Sequence, residues 1–278
     1  MCYIISIQHN THTQTEAEMV MNKNIILFDM DGTLTEPRKK FESSLLSSSF
    51  YKLSNLAEIG IVTGSDIDYL KEQMSDILTK SSVRYCLHLL PCNGTKWYRP
   101  PHLACDDFKL VEENNMESKI GVKNYRKIIE VLIEKQLFAT DLDIPLTGHF
   151  ISTRGSLINW SPAGRNANEE QRNKFIKFDK KYNYRKNLLT QLRTSFEGLD
   201  VTVKLGGDTS FDIYPTGWDK TFCLRYFSDK VVWFVGDRVT ATGNDFEIFN
   251  ACSPRSFQTT GPSQTVEIIE QIIKHIGG

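Results

Sequence analysis

The stretch Asn24-Ile-Ile-Leu-Phe-Asp-Met-Asp-Gly-Thr-Leu-Thr35 carries the decision on the fold. Its apolar run, Ile25 to Phe28, is short, unbroken and closed by polar residues, the pattern of a strand buried on both faces of a parallel sheet. In open parallel sheets the ligand sits at the carboxyl ends of the strands, where Asp29 and Asp31 emerge. Two residues apart, they share a side of an extended backbone, and Gly32 permits a sharp departure. Asp-Gly is also a common turn pair. Two acids closing an apolar strand are nevertheless costly without a cation or a partner, so the pair points to chemistry.

Three further segments repeat the pattern. Ile59-Gly-Ile-Val-Thr63 closes on Gly64-Ser65-Asp66, and Tyr85-Cys-Leu-His-Leu-Leu90 stops at Pro91 before Asn93-Gly94. Val231-Val-Trp-Phe-Val235 ends at Gly236-Asp237. Asp66 suits the N-cap of a helix over residues 67–78, whose apolar positions Ile67, Leu70, Met74, Ile77 and Leu78 recur at helical spacing. A helical pattern also covers residues 265–276. Strands alternating with helices imply an α/β unit with a parallel sheet and right-handed crossovers.

Between residues 106 and 218 the pattern changes. A helix is predicted over 122–135, and Phe150-Ile-Ser-Thr153 and Ser156-Leu-Ile-Asn-Trp160 flank Arg154-Gly155 as a hairpin. A strongly charged helix follows over 168–196, then strands Val201-Thr-Val-Lys204 and Ser210-Phe-Asp-Ile-Tyr214. Helices beside an antiparallel meander suggest an inserted α+β domain at 106–218, leaving 23–105 and 219–278 as the parallel-sheet core. Ser47-Ser-Ser49 reads as a loop. Residues 1–22 read as a flexible extension in which His9 and His12 are solvated rather than metal-binding, and Met19 and Met21 are alternative starts.

Composition narrows the function classes. Lys+Arg 33 against Asp+Glu 34 gives a net charge of -1, which argues against a general nucleic-acid or anionic-membrane binder while leaving room for a local anion pocket. No stretch approaches the roughly 18 apolar residues of a spanning helix. The opening Cys2-Tyr-Ile-Ile-Ser-Ile7 is too short for a signal peptide. The six cysteines form no C-x-x-C pair and no zinc-like spacing, so they read as reduced thiols of a cytoplasmic protein.

Asp29-Met-Asp-Gly-Thr33 resembles the D-x-D-x-T signature of the haloacid-dehalogenase superfamily. That resemblance implies a Rossmann-like parallel-sheet core with an inserted cap, Asp29 as a nucleophile that forms an aspartyl-phosphate, and Asp31 as general acid/base. It also implies Mg²⁺, whose charge lets a carboxylate approach a phosphoryl dianion. The other superfamily elements are found in order. Thr63-Gly64-Ser65 matches the hydroxyl that grips the phosphoryl group, through either Thr63 or Ser65. Lys220, in Gly217-Trp-Asp-Lys220, matches the charge-neutralising lysine, and Gly236-Asp237 with Asn244-Asp245 matches the metal element. The implied metal ligands are Asp29, Asp31, Asp237, Asn244 and Asp245.

From about Asn24 onward the chain is similar to eukaryotic-type phosphomannomutases. The likeness is closest in Asp29-Met-Asp-Gly-Thr-Leu-Thr-Glu-Pro-Arg38 and Asn159-Trp-Ser-Pro-Ala-Gly-Arg165. It continues in Gly206-Gly-Asp-Thr-Ser-Phe-Asp-Ile-Tyr-Pro-Thr-Gly-Trp-Asp-Lys220 and in Gly236-Asp237 with Gly243-Asn-Asp-Phe-Glu-Ile-Phe249. Residue by residue, it implies that Arg38 of the core and Arg154, Arg165 and Arg172 of the insert hold a sugar phosphate, with Asn159, Ser210 and Asp212. The planar fork of arginine suits bidentate phosphate binding. Without the neighbouring motif, Arg165 and Arg172 would read as surface ion-pair residues, because Asn168-Glu-Glu-Gln-Arg172 looks like a charged helix start. Two departures stand out: Cys92 where the family has a Glu before Asn93-Gly94, and Thr63-Gly64-Ser65 where animal members have Gly-Gly-Ser.

The resemblance implies interconversion of mannose 6-phosphate and mannose 1-phosphate through a bisphosphorylated intermediate, supplying GDP-mannose synthesis. Glucose 1,6-bisphosphate or mannose 1,6-bisphosphate is the implied activator, and a cap-mediated homodimer the implied assembly. A leakier cap on the same core would make a sugar-phosphate phosphatase. A non-catalytic scaffold would be signalled by loss of Asp29, Asp31 or Lys220, and all three are present.

Overall fold

The run at Ile25 forms strand β1 (Asn24–Phe28), an interior strand of a seven-stranded sheet in the computed structural model, which describes residues 23–277. The extension over residues 1–22, with His9, His12, Met19 and Met21, lies outside the described residues. On one flank of β1 are β2 (Glu58–Val62), β3 (Leu87–Leu90), β4 (Lys96–Arg99) and β5 (Lys109–Glu113). On the other are β10 (Val231–Gly236) and β11 (Ser256–Gln258). All neighbours pair parallel except β3–β4 and β4–β5, which are antiparallel.

Both faces of β1 are covered, which is why its sequence is apolar without alternation. Ile26 and Phe28 pack against α1 (Ser43–Ser54) and α9 (Pro262–Ile276), through Leu46, Phe50, Leu53, Ile269 and Ile272. Ile25 and Leu27 face the 3-10 helix Lys220–Phe227 and α8 (Phe246–Cys252), through Cys223, Phe227 and Ile248. Each fully buried Ile, Leu or Phe contributes about 1.5–3 kcal/mol relative to exposure.

A second, antiparallel sheet is built from β6 (Ile151–Thr153), β7 (Ile158–Trp160), β8 (Val201–Gly206) and β9 (Ser210–Pro215), in the order β6-β7-β9-β8. It packs on α5 (Val122–Ala139) and α7 (Tyr184–Ser195) through Leu132, Trp160, Leu192 and Phe211. α4 (Met116–Ile120) and α6 (Glu169–Tyr182) complete this layer. The mixed α/β class and the parallel central sheet agree with the sequence reading. β5 pairs within the large sheet, although residues 109–113 fall inside the stretch read as the insert.

Four local expectations are corrected. Ser47–Ser49 are helical within α1, because Leu46, Phe50 and Leu53 recur on one buried face and Ser49 Oγ donates to Glu270 on α9 at 3.0 Å. The helix expected over 67–78 divides at Met74 into α2 (Ile67–Gln73) and α3 (Ser75–Lys80), and the Phe41 N–H takes the Gln73 carbonyl at 2.8 Å. Tyr85 and Cys86 belong to a 3-10 turn, Ser82–Cys86, so β3 starts later. The helix expected over 168–196 divides into α6 and α7 at Asn183, whose left-handed backbone (φ 50, ψ 35) asparagine tolerates.

Among the described residues, no helix is long and apolar enough to cross a membrane.

Candidate active site

The carboxyl ends of β1, β2 and β10 meet, bringing Asp29, Thr63 and Asp237 to one end of the sheet. The Asp29 N–H extends the ladder to the Val235 carbonyl at 2.9 Å. The chain then turns tightly on Met30, whose carbonyl accepts from the N–H groups of Thr33, Leu34 and Thr35. Gly32 sits at φ +86 within this turn, and a Cβ there would come within 2.5 Å of Asp237 Oδ2.

Lys220 is the hub of the buried charges. Its ammonium donates to Asp29 Oδ1 and, at 2.6 Å, to Asp245 Oδ1, and all three groups are buried. The other oxygen of Asp245 accepts the Arg238 backbone N–H at 3.0 Å. Burial pushes the Asp29 carboxyl well above its ordinary range; Lys220 opposes that, while Asp245 and Asp237 reinforce it. Burial and the charge of Asp245 push Asp237 up to about 6. Burial works against the Lys220 charge too, but Asp245 and Asp29 outweigh it and hold the ammonium protonated.

Asp29, Asp237 and Asp245 each present an oxygen, all within 4.8 Å of one another. Lys220 serves Asp29 and Asp245, and the Arg238 Nε lies 3.7 Å from Asp237 Oδ2, so the three carboxylates still outnumber the cations beside them when all are ionised. Asp237 Oδ1 and Asn244 Oδ1 are buried without a hydrogen-bond partner. An all-oxygen donor set with surplus negative charge and unpaired oxygens fits a metal ion of the hard, oxygen-preferring kind. The Asp31 carboxylate stands outside that group, because its Oδ1 accepts the Tyr69 hydroxyl and the Arg38 N–H, each at 3.0 Å.

Above Asp29 the smaller sheet supplies the facing wall of a cleft. Arg154 lies in the β6–β7 turn, buried, with Nη1 donating to the Gly64 carbonyl at 2.5 Å. Arg165 donates to Asn159 Oδ1 at 2.8 Å, and the Asn159 amide donates to Asp212 Oδ1 at 2.7 Å and to Ser210 Oγ at 3.0 Å. Register dictates that last set, since Asn159 on β7 lies opposite Asp212 on β9. Arg172 comes from α6, whose start is fixed by reciprocal bonds between Asn168 and Gln171. Arg38 reaches the cleft from the turn after β1.

These guanidinium groups crowd one another. Burial, then Arg154 and Arg38, push Arg165 down to about 10; burial and Arg38 lower Arg172 as well. Convergent cations that disfavour their own charge make a site that gains from an anion.

Every residue expected to bind substrate lines this cleft: Arg38, Arg154, Arg165, Arg172, Asn159, Ser210, Asp212, Thr63 and Ser65. Asp29, Asp31 and Asn244 line it too, with Lys220 and Asp245 joined to it through the Asp29 contact. Thr63 Oγ1 accepts the Ser65 N–H at 3.1 Å, which ties the two residues together at the carboxyl end of β2. Sequence reasoning missed Tyr69, Asp208, Thr209 and Arg238 among the lining residues. Arg238 adjoins Asp237 and was within reach of it, whereas nothing local marks the Tyr69 hydroxyl as a partner of Asp31.

A family model described as "Eukaryotic phosphomannomutase" matches residues 46–275. The chain belongs to that family. A phosphomannomutase of Dendrobium officinale is 36% identical over 245 residues, 87% of this chain and 91% of that one. Phosphomannomutase 1 of Dictyostelium discoideum is 34% identical over 255 residues, 89% of this chain and 96% of that one. The matched interval of the family model begins after Asp29, Asp31 and Arg38, so their part in the site rests on the geometry above.

Solved structures agree on the fold. The Plasmodium falciparum IMP-nucleotidase, N-terminally truncated and IMP-bound, aligns with a TM-score of 0.65 at 16% identity, covering 93% of this chain and 70% of that one. The C-terminal domain of Candida albicans trehalose-6-phosphate phosphatase aligns with a TM-score of 0.59 at 15% identity, covering 91% and 92%. This phosphomannomutase-family chain thus shares its overall fold with both of these structures.

Proposed function

We propose that this chain interconverts mannose 6-phosphate and mannose 1-phosphate. A bisphosphorylated hexose, glucose 1,6-bisphosphate or mannose 1,6-bisphosphate, first phosphorylates Asp29. The substrate's free hydroxyl then takes that group: the new sugar O–P bond forms as the P–O bond to Asp29 breaks, and Asp31 accepts the hydroxyl proton. The resulting bisphosphate presents its other phosphate to Asp29 after turning in place or rebinding, and the cycle closes. Mg²⁺ held by Asp29, Asp237 and Asp245, with Asn244 beside them, would screen charge between carboxylate and phosphoryl group.

The residues divide the labour. Lys220 keeps the Asp29 carboxylate oriented and offsets its charge. Thr63 or Ser65 offers the hydroxyl that grips the phosphoryl group. Residues 106–218, apart from β5 in the large sheet, act as the cap, whose Arg154, Arg165 and Arg172 clamp the remote phosphate together with Arg38. Guanidinium groups read charge and fork geometry, so one clamp serves both orientations of a bisphosphate. The single observation that carries this reading is the convergence of five arginines, Arg38, Arg154, Arg165, Arg172 and Arg238, on the same cleft as a buried carboxylate–lysine pair.

Two further readings accompany it. The cap helix α5 exposes Ile133, Leu137 and Phe138, a face that would pair two copies into a homodimer. Free thiols at all five cysteines of the described residues accord with a cytoplasmic location.

The test supplies mannose 1-phosphate, Mg²⁺ and catalytic glucose 1,6-bisphosphate, and follows products by phosphorus NMR. Mannose 6-phosphate is expected as the main product. Stoichiometric inorganic phosphate without 6-phosphate would replace the mutase reading with a sugar-phosphate phosphatase.

A further inference from the structure

The loop between β8 and β9 is gripped from both sides of the cleft. From its own layer, Arg185 donates to the Gly207 carbonyl at 3.0 Å while its Nε is fixed on Asp179 Oδ2 at 2.8 Å. From the opposite layer, the Arg238 guanidinium donates to the same carbonyl at 3.0 Å and to Asp208 Oδ1 at 2.8 Å. A second ion pair spans the same gap, Lys204 of β8 to Glu247 of α8 at 2.6 Å.

Arg238 also reaches inward. Its backbone N–H donates to Asp245 Oδ2 at 3.0 Å; Asp245 Oδ1 receives the Lys220 ammonium at 2.6 Å, and that ammonium bonds Asp29 as well. One residue therefore holds the inner charge cluster with its main chain and with its Nε, 3.7 Å from Asp237 Oδ2, and the facing loop with the rest of its guanidinium. Any movement that lifts the β8–β9 loop breaks both guanidinium bonds at once.

We propose that Arg238 is a positioning residue, a latch that pairs with Asp208 and Gly207 to hold the cap shut over the phosphorylated Asp29. The inference rests on the mutase reading above and adds to it the device that separates mutase from hydrolase. The aspartyl-phosphate has two fates. Attack by the sugar hydroxyl forms a sugar O–P bond, breaks the P–O bond to Asp29 and sends the hydroxyl proton to Asp31. Attack by water breaks the same bond and yields inorganic phosphate. An engaged latch keeps bulk water from the second course during the interval in which the bisphosphate turns.

The experiment uses the full chain with mannose 1-phosphate, Mg²⁺ and catalytic glucose 1,6-bisphosphate, and reads the ratio of 6-phosphate to inorganic phosphate by phosphorus NMR. Arg238→Gln and Asp208→Asn are each expected to move that ratio about two- to fivefold toward inorganic phosphate, the scale of losing a partly screened ion pair. The double variant is expected to move it no further than the larger single change, as for partners in one contact. Arg238→Lys, which keeps a charge but loses the fork, is expected to fall between Arg238→Gln and the parent. A parental ratio in the single variants, or single effects that multiply, would overturn the latch. Asp208 is half exposed, so Asp208→Asn carries the test if Arg238→Gln fails to fold.

Hydrogen exchange of the ligand-free chain provides a readout independent of turnover. The amides of residues 206–210 are expected to exchange at least about threefold faster in Arg238→Gln and in Asp208→Asn. Unchanged exchange would overturn the latch. A parent chain that forms no 6-phosphate would overturn the mutase reading alone, because exchange still decides whether the latch exists.

Discussion

Gly32 and Asp237 lie so close that a single methyl group on residue 32 would fall 2.5 Å from Asp237 Oδ2. A side chain at residue 32 would therefore have to push the Asp237 carboxylate aside, and the φ of +86 there favours glycine on its own account. Gly32→Ala is expected to cost about 1–2 kcal/mol of stability from the backbone alone. It is also expected to lower kcat at least about tenfold by displacing Asp237, the scale of a small misplacement near reacting groups. Denaturant unfolding and steady-state kinetics check the two effects separately.

Lys220→Met tests the buried charge cluster. Removing the ammonium leaves Asp29 and Asp245 buried without their shared partner. Breaking a buried pair by deleting one member costs about 3–5 kcal/mol. Chemical denaturation at neutral pH is expected to show a loss of that order, together with loss of turnover; stability equal to the parent would mean the ammonium is not holding the carboxylates.

Arg172→Ala separates binding from folding. The guanidinium makes one long contact, to Thr209 Oγ1 at 3.5 Å, and its charge is disfavoured by burial and Arg38. Its removal is expected to leave stability within about 1 kcal/mol of the parent, and to weaken sugar-phosphate binding by about 1.5–3 kcal/mol, the worth of a charge-assisted hydrogen bond. Calorimetric titration with mannose 1-phosphate measures the second quantity, and an unchanged affinity would return Arg172 to the role of a surface cation.

A pH effect on stability is expected at the opposite end of the sheet. Burial alone would raise the Glu58 carboxyl, but hydrogen bonds from His88 and Lys230 outweigh it and hold the group below its ordinary value. A lowered folded-state value means that Glu58 stabilises the fold at neutral pH and loses that contribution as the pH falls through the lowered value. Glu58→Gln is therefore expected to be less stable than the parent at pH 7, with the gap closing under acid. Urea midpoints across pH 3 to 7 read the convergence.

Much of the architecture was legible because its signals are local. An apolar run such as Ile25 to Phe28 states burial on both faces, and Asp29 follows it at the place where parallel sheets bind ligands. The paired strands β7 and β9 were recognisable from Asn159-Trp160 and from residues 210–214, and their register then brings Asn159 to Asp212. Other features depend on contacts that no window contains. Ser47–Ser49 become helical because the face they belong to meets α9, more than 200 residues away, and Ser49 bonds Glu270 there. Asn183 looks like one polar residue among many in a charged helix, yet its left-handed backbone turns the chain into α7. Nothing in the sequence around Asp31 announces the Tyr69 hydroxyl, 38 residues on, that its carboxylate accepts. Arg238 was overlooked because its partners, Gly207 and Asp208, come from the other sheet.

The central claim is that Asp29 carries the phosphoryl group between sugars. The chain should be incubated with glucose 1,6-bisphosphate and Mg²⁺, quenched in acid and analysed by peptide mass spectrometry. One phosphoryl group is expected on the peptide that contains Asp29, discharged when mannose 1-phosphate is added before the quench, and absent from Asp29→Asn. A phosphoryl group on another residue, or full turnover by Asp29→Asn, would contradict it.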